Sequence, residues 1–545
     1  MTKQANNQAL DVILSYHQRT KHHFDRYAPG PGYLDWATQP EPFRFYQGAP
    51  RFSLSRREPA RTEPPRYDEL YGRLLSSPVN PETLSTLLFH SFSLSAWKEA
   101  GDSRWSLRCN PSSGNLHPTE VYLLSGPVPG LMESATLTHY NSYFHGLELR
   151  GEFPGDLWHQ ILSGLPPGIL VVGFTSIHWR ESWKYGERAL RYCLLDLGHA
   201  YAALAYSAAC LGWACALLPE VDTVKLAHLL GVADQQAPEA EHPDCLVAVF
   251  PDGKVDWETV SHWQLPEGTV EQMQSHWVKG LPNRLSPSHR PWPIIEHAAH
   301  ALHSQRIDVG PVPQLNLDET VDPRPIGARW LIRHRRSVQT MDGSTEIRQA
   351  DFIRLLYRLS RIGLPVSGLG CGPGIHLGFF VHQVEALSPG LYFLARSKEG
   401  MARFRETSAE DWEWSRLWED IPFYRLREGD AGAIAKAVSC HQDIASDGAF
   451  ALSMLAEFEP RLQQSVWEYV RLHMEAGALG QLLYLEAEAA GLRGTGIGCF
   501  FDDPVHELFG LAGRTFQVLY HFTVGGGLED ERLSTLDAYH HLEKT

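Results

Sequence analysis

A turn of small polar residues precedes a short apolar run that is typical of a buried strand. The turn reads Pro111-Ser112-Ser113-Gly114-Asn115. Pro111 fixes one backbone angle and Gly114 permits positive φ, so the chain can turn sharply and expose its peptide groups. Two hydroxyls and an amide on such a turn suit a planar ligand that forms hydrogen bonds. Clusters of Ser, Asn, Gly and Pro are also common in ordinary loops, so both interpretations stay open.

A second candidate for chemistry opens a long apolar stretch. Lys184 and Tyr185 precede a helical run that contains the sequence 196–198 (Asp-Leu-Gly) and many alanines. A lysine amine or a tyrosine phenol can act as a general base where burial or a neighbouring charge lowers its pKa towards neutrality. These two residues are therefore candidates for proton transfer.

Basic residues cluster in the second half of the chain, at Arg335-Arg336-Ser337. A phosphate is bound well by guanidinium groups with a hydroxyl or backbone donor nearby. The alternative is a solvated basic patch, which is what most charge clusters are.

A glycine-rich loop follows later, at Gly496-Ile497-Gly498. Alternating glycines let backbone amides come close to a ligand. Arg532, beyond this loop, is a further candidate phosphate ligand. A surface salt bridge to its acidic neighbours explains the same residue equally well.

Taken together, these motifs resemble the nitroreductase-like flavoproteins. The turn, followed by Lys-Tyr-Gly-Glu-Arg at 184–188 opening a buried helix, is most similar to the azoline dehydrogenases that act on ribosomal peptides. The resemblance implies non-covalent FMN, with Arg335 and Ser337 on its phosphate and ribityl chain and the glycine loop at the isoalloxazine edge. It also implies that Lys184 and Tyr185 form the catalytic base.

Two alanine-rich helices predict an internal duplication. The stretch that begins with Asp196 and Gly198 and the stretch that begins with Glu475 and Gly477 share an acidic residue, a following glycine and a glycine near the end. Small residues let two helices approach closely. Since nitroreductases build their site between two subunits whose central helices pack together, a tandem copy would place that dimer inside one chain.

The two repeats retain complementary motifs. The first has the Ser-Ser-Gly-Asn turn and the Lys-Tyr pair, but Asp68 and Glu69 stand where phosphate ligands belong. The second has the Arg-Arg-Ser cluster and the glycine loop, but its turn region, 365–372, lacks the asparagine and Gln463-Gln464 align with Lys-Tyr. We predict one complete composite site, and expect Asp68 and Glu69 to repel a dianion at the opposite interface.

The predicted fold class is α+β, with two tandem nitroreductase-like repeats forming an intrachain pseudo-dimer. We place an irregular N-terminal arm at 1–66, because it is rich in Pro, Arg and aromatic residues. The first repeat spans 67–259, a connector spans 260–322, and the second repeat spans 323–545. Such a chain could work as a monomer or as a higher homo-oligomer.

Composition narrows the functional class. The chain has 545 residues, 43% apolar, with a formal net charge of −16. This charge argues against nucleic acid or an anionic membrane as the main partner. The N-terminus lacks the apolar core of a signal peptide, and eight scattered cysteines without a Cys-x-x-Cys motif fit a reducing compartment, so we expect a cytoplasmic protein. A histidine group at 17, 22 and 23 lacks metal-ligand spacing, so no metal is predicted.

The predicted function is an FMN-dependent dehydrogenase that oxidises azoline-type heterocycles of a peptide or related small molecule. A nicotinamide-dependent nitro or quinone reductase is the first alternative, since it needs no Lys-Tyr base. A flavin-free scaffold is the second, because each repeat has lost part of its site. The fold alone does not decide among these functions.

Overall fold

The computed structural model describes residues 3–57, 64–278, 280–312, 324–360, 366–370 and 372–543. Two seven-stranded antiparallel sheets, one in each half, enclose the central helices. This architecture confirms the predicted α+β fold class. The predicted boundary between connector and second repeat, and residues Pro365 and Cys371 of the predicted turn, lie outside the described residues.

The first half carries its sheet in the order β2-β7-β6-β5-β8-β10-β9. Its strands are β1 (Tyr46–Gln47), β2 (Arg51–Ser53), β3 (Leu94–Ala100), β4 (Ser103–Arg108), β5 (Thr119–Ser125), β6 (Ala135–Asn141), β7 (Gly146–Phe153), β8 (Leu170–Ser176), β9 (Ala214–Leu217), β10 (His242–Phe250) and β11 (Leu281–Pro282). Its helices are α1 (Lys3–Arg19), α2 (Pro81–Ser91), α3 (Gly155–Ile161), α4 (His178–Tyr185), α5 (Ala189–Ala209), α6 (Thr223–Leu229), α7 (Trp257–His262), α8 (Thr269–Gln274) and α9 (Pro293–Ala301).

The second half carries its sheet in the order β14-β15-β13-β12-β16-β18-β17. Its strands are β12 (Ile375–Val381), β13 (Gly390–Leu394), β14 (Ser415–Arg416), β15 (Phe423–Glu428), β16 (Phe450–Glu457), β17 (Arg493–Ile497), β18 (Phe516–Gly525) and β19 (Ser534–Leu536). Its helices are α10 (Ala328–His334), α11 (Gln349–Ser360), α12 (Lys398–Thr407), α13 (Gly432–Val438), α14 (Ile444–Asp447), α15 (Glu459–Leu462), α16 (Glu468–Ala489) and α17 (Asp502–Leu508).

The two sheets share the order of six of their seven strands. The strands that occupy corresponding places in the two sheets are β5 and β12, β6 and β13, β7 and β15, β8 and β16, β9 and β17, and β10 and β18. Strands β5, β8, β12 and β16 are buried along their whole length, as expected for strands covered on both faces. The halves are also joined by β19, which pairs with β3 of the first half.

Two fully buried helices, α5 and α16, form the centre of the molecule. They meet at the two glycines singled out by the sequence. A Cβ on Gly198 would overlap the carbonyl oxygen of Met474, and a Cβ on Gly477 would overlap that of Leu195. Because the backbones touch here, only glycine fits at either position. The predicted close approach of the alanine-rich helices is confirmed.

The N-terminal arm is more ordered than predicted. Helix α1 occupies part of the segment 1–66, so the prediction of an irregular arm was wrong there. Ile13 and Tyr16 are buried on one face of α1, and Tyr16 donates from its hydroxyl to the carbonyl oxygen of Glu187 at 2.7 Å. The Pro and Gly breaks that suggested an irregular arm lie after this helix. Among the described residues, no helix combines the length and apolarity needed to cross a membrane.

Candidate active site

The polar turn links β4 to β5 and is held in a tight conformation. Residues Ser113–Asn115 form one turn of 3-10 helix, in which Gly114 has φ 57°. Asn115 follows with φ 59°, a left-handed conformation that asparagine tolerates better than most side chains. The Asn115 amide donates to the carbonyl oxygen of Ser106 at 2.8 Å, so this side chain helps to fix the turn.

The carboxylate of Asp196, on α5, anchors the turn through hydrogen bonds. Ser112 donates from Oγ to Asp196 Oδ2 at 2.6 Å, and Ser113 donates from Oγ to Oδ1 at 2.9 Å. The Ser113 backbone N–H adds a bond of 3.0 Å to Oδ1. Both serine protons are thereby committed, so towards a ligand these hydroxyls act as acceptors.

Lys184 and Tyr185 end α4 and lie directly against this turn. A Cβ on Gly114 would stand 2.6 Å from Tyr185 Oη and 3.0 Å from Lys184 Nζ. The next residue, Gly186, has φ 55° and breaks the helix, which places Lys184 and Tyr185 at its very end. The structure therefore brings the predicted catalytic pair and the predicted binding turn together.

Tyr185 keeps its phenol proton at neutral pH, whereas a general base must be deprotonated. Burial, reinforced by Glu181, Tyr192 and Asp196, raises the pKa of Tyr185 well above its ordinary value. A phenolate base needs a lowered pKa, so Tyr185 does not meet the condition for the predicted base. A phenol that keeps its proton at neutral pH is suited to donate a hydrogen bond.

Two buried carboxyls beside this pair were missed as functional candidates. Glu181 is fully buried, and among the described residues neither of its carboxylate oxygens has a hydrogen-bond partner. Burial and the neighbouring Asp196 raise the pKa of Glu181 well above its ordinary value. Burial also raises the pKa of Asp196 to about 7, against the opposing effect of its bonds from Ser112 and Ser113. For Asp196 the available signal was an acidic residue inside a largely apolar helix, α5.

The basic cluster of the second half reaches the same place across the interface. Arg335 is buried, and its Nη2 donates to the carbonyl oxygen of Arg108 at 3.2 Å, close to the turn. Among the described residues its Nε has no acceptor, and burial lowers the pKa of Arg335. Arg336 donates to three carbonyl oxygens, including that of Ser95 at 3.2 Å. Ser337 is exposed.

The glycine loop lies at the end of β17, with two tyrosines packed onto its glycines. A Cβ on Gly496 would overlap Tyr520 Oη, and a Cβ on Gly498 would overlap the ring of Tyr192. The side chain of Ile497 between them is buried in the core of the second half. Only glycine permits these contacts, and in this conformation tyrosine rings, rather than open space, lie against the loop.

Tyrosine side chains connect the pieces contributed by the two halves. The rings of Tyr185 and Tyr192 lie 4.3 Å apart between centroids, and the Tyr192 hydroxyl donates to the Gly498 carbonyl oxygen at 3.1 Å. Tyr484 bonds through its hydroxyl to Ser337 Oγ at 2.8 Å and accepts from Gly496 N–H at 3.0 Å. The predicted residues of both halves thus meet at one interface.

Arg532 stands apart from this group. Its side chain is 86% exposed and pairs with Asp530 at 2.6 Å. The structure therefore has the surface salt bridge that the sequence left open, rather than a phosphate ligand.

The donor set of the second half fits the phosphate of a ligand. Arg335 offers a buried guanidinium with an unused N–H, and the exposed hydroxyl of Ser337 lies two residues further on. Arg336 is less available, because backbone carbonyls already occupy it. A charged hydrogen bond from a buried guanidinium is among the stronger contacts available to a phosphate.

Comparison with known proteins agrees with this geometry. Residues 390–526 match the sequence model of the nitroreductase family. No curated protein matches the chain in sequence. Among solved structures, an assigned nitroreductase from Anabaena variabilis ATCC 29413 is 22% identical with a TM-score of 0.66, over 95% of this chain and 99% of that chain.

Lower similarities extend over part of the chain. An assigned nitroreductase from Ralstonia eutropha JMP134 is 16% identical with a TM-score of 0.27, over 38% of this chain and 93% of that one. A chain of the E. coli microcin synthetase McbBCD complex with bound truncated pro-MccB17 is 17% identical with a TM-score of 0.28. This similarity covers 46% of this chain and 94% of that one. The Anabaena likeness establishes the fold across both halves. Residues 390–526 therefore match a nitroreductase family domain, and that match points to an oxidoreductase.

Proposed function

We propose that the chain is an FMN-dependent dehydrogenase that oxidises an azoline-type heterocycle of a peptide or related small molecule. The observation that carries the proposal is the contact of Lys184 and Tyr185 with the turn at Gly114. A simple reductase that passes electrons through a flavin needs no such proton-transferring pair. The resemblance to azoline dehydrogenases agrees with this assignment.

The two halves would share the binding of FMN. Arg335 and Ser337 would hold the phosphate, while the backbone at 496–498 and the turn at 111–115 would border the ring system. When bound, FMN accepts a hydride at N5, and the protein supplies orientation and electrostatics. We propose molecular oxygen as the final electron acceptor.

Lys184 and Tyr185 would divide the proton chemistry between them. Dehydrogenation of an azoline removes a hydride from one ring carbon and a proton from its neighbour. Tyr185 keeps its phenol proton, so we assign its Oη to donate a hydrogen bond to a heteroatom of the substrate ring. Lys184 Nζ, beside the same turn, is then the group that takes the proton.

The first experiment identifies the cofactor and its stoichiometry. The purified chain is saturated with FMN, desalted and treated with acid, and we expect one FMN released per chain. FAD, two equivalent flavins per chain or a flavin held between separate chains would contradict the composite site. Absence of any flavin after titration would instead favour the scaffold alternative, in which Tyr192 and Tyr520 fill the space at the glycine loop.

The second experiment separates dehydrogenase from reductase. A thiazoline-containing peptide is incubated with the FMN-loaded chain under air, and mass spectrometry should report the loss of two hydrogens with matching oxygen consumption. NADPH oxidation coupled to a quinone or nitroarene serves as the opposite assay. If turnover occurs only in that second assay, the chain is a reductase and the proposed dehydrogenase activity is wrong.

A further inference from the structure

Two cysteines meet at the edge of the candidate active site. The sulfur atoms of Cys440 and Cys499 lie 2.6 Å apart, much closer than the non-bonded contact of two sulfur atoms. Both residues are partly accessible to solvent. The other cysteines of the described residues (Cys109, Cys193, Cys210, Cys215 and Cys245) are buried.

Hydrogen bonds outside the two thiols hold the segments that carry Cys440 and Cys499 together. Cys440 follows α13 and has φ 52°, a left-handed conformation that is uncommon for a residue with a side chain. Gln442 donates from its amide to the Cys499 carbonyl oxygen at 3.1 Å, and Phe501 N–H donates to the Val438 carbonyl oxygen at 2.8 Å. These bonds hold the two segments side by side whatever the state of the sulfurs.

Cys499 has the character of a nucleophilic thiol. Its contact with Cys440 lowers the pKa of Cys499 to about 5, and the nearby His22 and Arg188 act in the same direction against burial. A thiolate, rather than a thiol, is the form that attacks disulfides. Cys499 also directly follows Gly498, whose carbonyl oxygen accepts from Arg188 at 3.3 Å.

We propose that Cys440 and Cys499 form a reversible disulfide that fixes the glycine loop of the candidate active site. The oxidant is a small-molecule disulfide such as oxidised glutathione. The Cys499 thiolate attacks one sulfur of it and releases one thiolate. Cys440, losing its proton, then attacks the mixed disulfide at Cys499 and releases the second thiolate, so that two glutathione molecules leave reduced.

The first measurement tests the bond itself. The full chain is equilibrated with oxidised and reduced glutathione, denatured, alkylated with N-ethylmaleimide and analysed by peptide mass spectrometry. We expect a cross-linked peptide pair containing positions 440 and 499, absent from Cys440→Ser and Cys499→Ser. Cys215 is a buried cysteine of β9, the strand of the first half that corresponds to β17. The control variant Cys215→Ala should therefore keep the cross-link. Alkylation of both thiols at every glutathione ratio, or glutathionylation of Cys499 as the end product, would overturn the proposal.

The second measurement tests the effect on the loop. Hydrogen exchange of the amides at 494–499 should be about tenfold slower in the oxidised chain than in the reduced chain, because the bond removes local opening. Equal exchange in both states would overturn the loop-fixing role even if the disulfide forms.

The third measurement rests on the proposed function. FMN should bind about threefold to tenfold more tightly to the oxidised wild type than to the reduced wild type, since a fixed loop loses less freedom on binding. In Cys440→Ser the affinity should not depend on the glutathione ratio. No FMN binding in either state would refute the proposed function, while the cross-link and exchange measurements would still decide the disulfide.

Discussion

The two interfaces between the halves of this molecule differ in what fills them. We call the one with the turn at 111–115 and Arg335 the site interface, and the other, with residues 67–71 and 366–369, the closed interface. At the closed interface a Cβ on Gly368 would overlap the Cys215 carbonyl oxygen and stand 2.6 Å from Tyr201 Oη. The turn of the second half therefore packs directly on β9, which leaves no room there for a planar ligand.

Charge divides the interfaces in the same way. At the closed interface Asp68 pairs with Arg354 at 2.5 Å and with Arg358 at 3.1 Å, and Glu486 pairs with Arg354 at 2.9 Å. We expected Asp68 and Glu69 to repel a dianion, but Asp68 is neutralised by these arginines and Glu69 is exposed. Each interface has a buried arginine whose Nε lacks a hydrogen-bond acceptor, Arg335 at the site interface and Arg358 at the closed interface. Arg358 is paired with Asp68, whereas among the described residues Arg335 forms no ion pair with a carboxylate, so its charge is left for an anion.

The largest expected effect is on turnover, and it should be confined to the site interface. We expect Lys184→Ala and Tyr185→Phe to retain FMN but to slow azoline oxidation at least tenfold each, and up to about 10⁴-fold, because the first removes the proton acceptor and the second removes the hydrogen-bond donor to the substrate ring. Steady-state kinetics with a thiazoline peptide measures this.

The aligned position of the other half supplies the control. Gln463→Ala removes the residue that aligns with Lys184 and should leave turnover at the wild-type value. Equal losses in this control and in Lys184→Ala would mean that the interfaces do not differ in function. Full activity in both Lys184→Ala and Tyr185→Phe would exclude the proton-transfer role.

The next effect is on stability, and it belongs to the closed interface. Glu486→Gln should lower the free energy of unfolding by about 3 kcal/mol, because it removes one partner from a buried network of arginines and carboxylates. Urea unfolding measures the change, while the FMN affinity should stay at the wild-type value. Glu413→Gln, in an exposed pair with Arg425, should leave the free energy of unfolding close to the wild-type value. A similar cost for both variants would remove the structural role that we assign to the closed interface.

Sequence spacing could predict the parts of this site that are local. The turn at 111–115 follows from Pro and Gly positions, and Lys184 and Tyr185 stand out because they are polar residues shortly before an apolar helix. The meeting of Gly198 with Gly477 was also predictable, since both lie at matching places in alanine-rich stretches. In each case the signal is carried by neighbouring residues along the chain.

The rest depends on contacts between distant elements. Nothing near Tyr192 or Tyr484 in the sequence indicates that their hydroxyls meet the glycine loop. The hydrogen bond from Ser112 to Asp196 likewise joins the turn to helix α5, which is far from it along the chain. For Arg532 a local signal was available, because its partner in the salt bridge, Asp530, lies only two residues away in the sequence.

A smaller effect is expected on FMN affinity. Arg335→Ala should weaken FMN binding by about 1.5–3 kcal/mol, the usual value for a hydrogen bond to a charged group. Isothermal titration with FMN measures it. Arg66→Ala removes an exposed arginine from the corresponding segment of the first half and should leave the affinity unchanged. Equal affinity of Arg335→Ala and wild type would place the phosphate elsewhere.

The last expected effect is a pH dependence of stability and turnover that separates two buried aspartates. Burial raises the pKa of Asp196 to about 7 from its ordinary 3.8, so between these values the folded chain holds a proton that the unfolded chain releases. The free energy of unfolding therefore falls as pH rises through this window, by at most about 1.4 kcal/mol per pH unit, and Asp196→Asn should flatten that slope. Asp244, with a pKa also raised to about 7 by burial, lies on β10, outside the site interface. Asp244→Asn should flatten the stability slope equally, yet only Asp196→Asn should change the pH profile of turnover, because only Asp196 binds the turn. An identical turnover profile in wild type and Asp196→Asn would reduce Asp196 to a purely structural anchor.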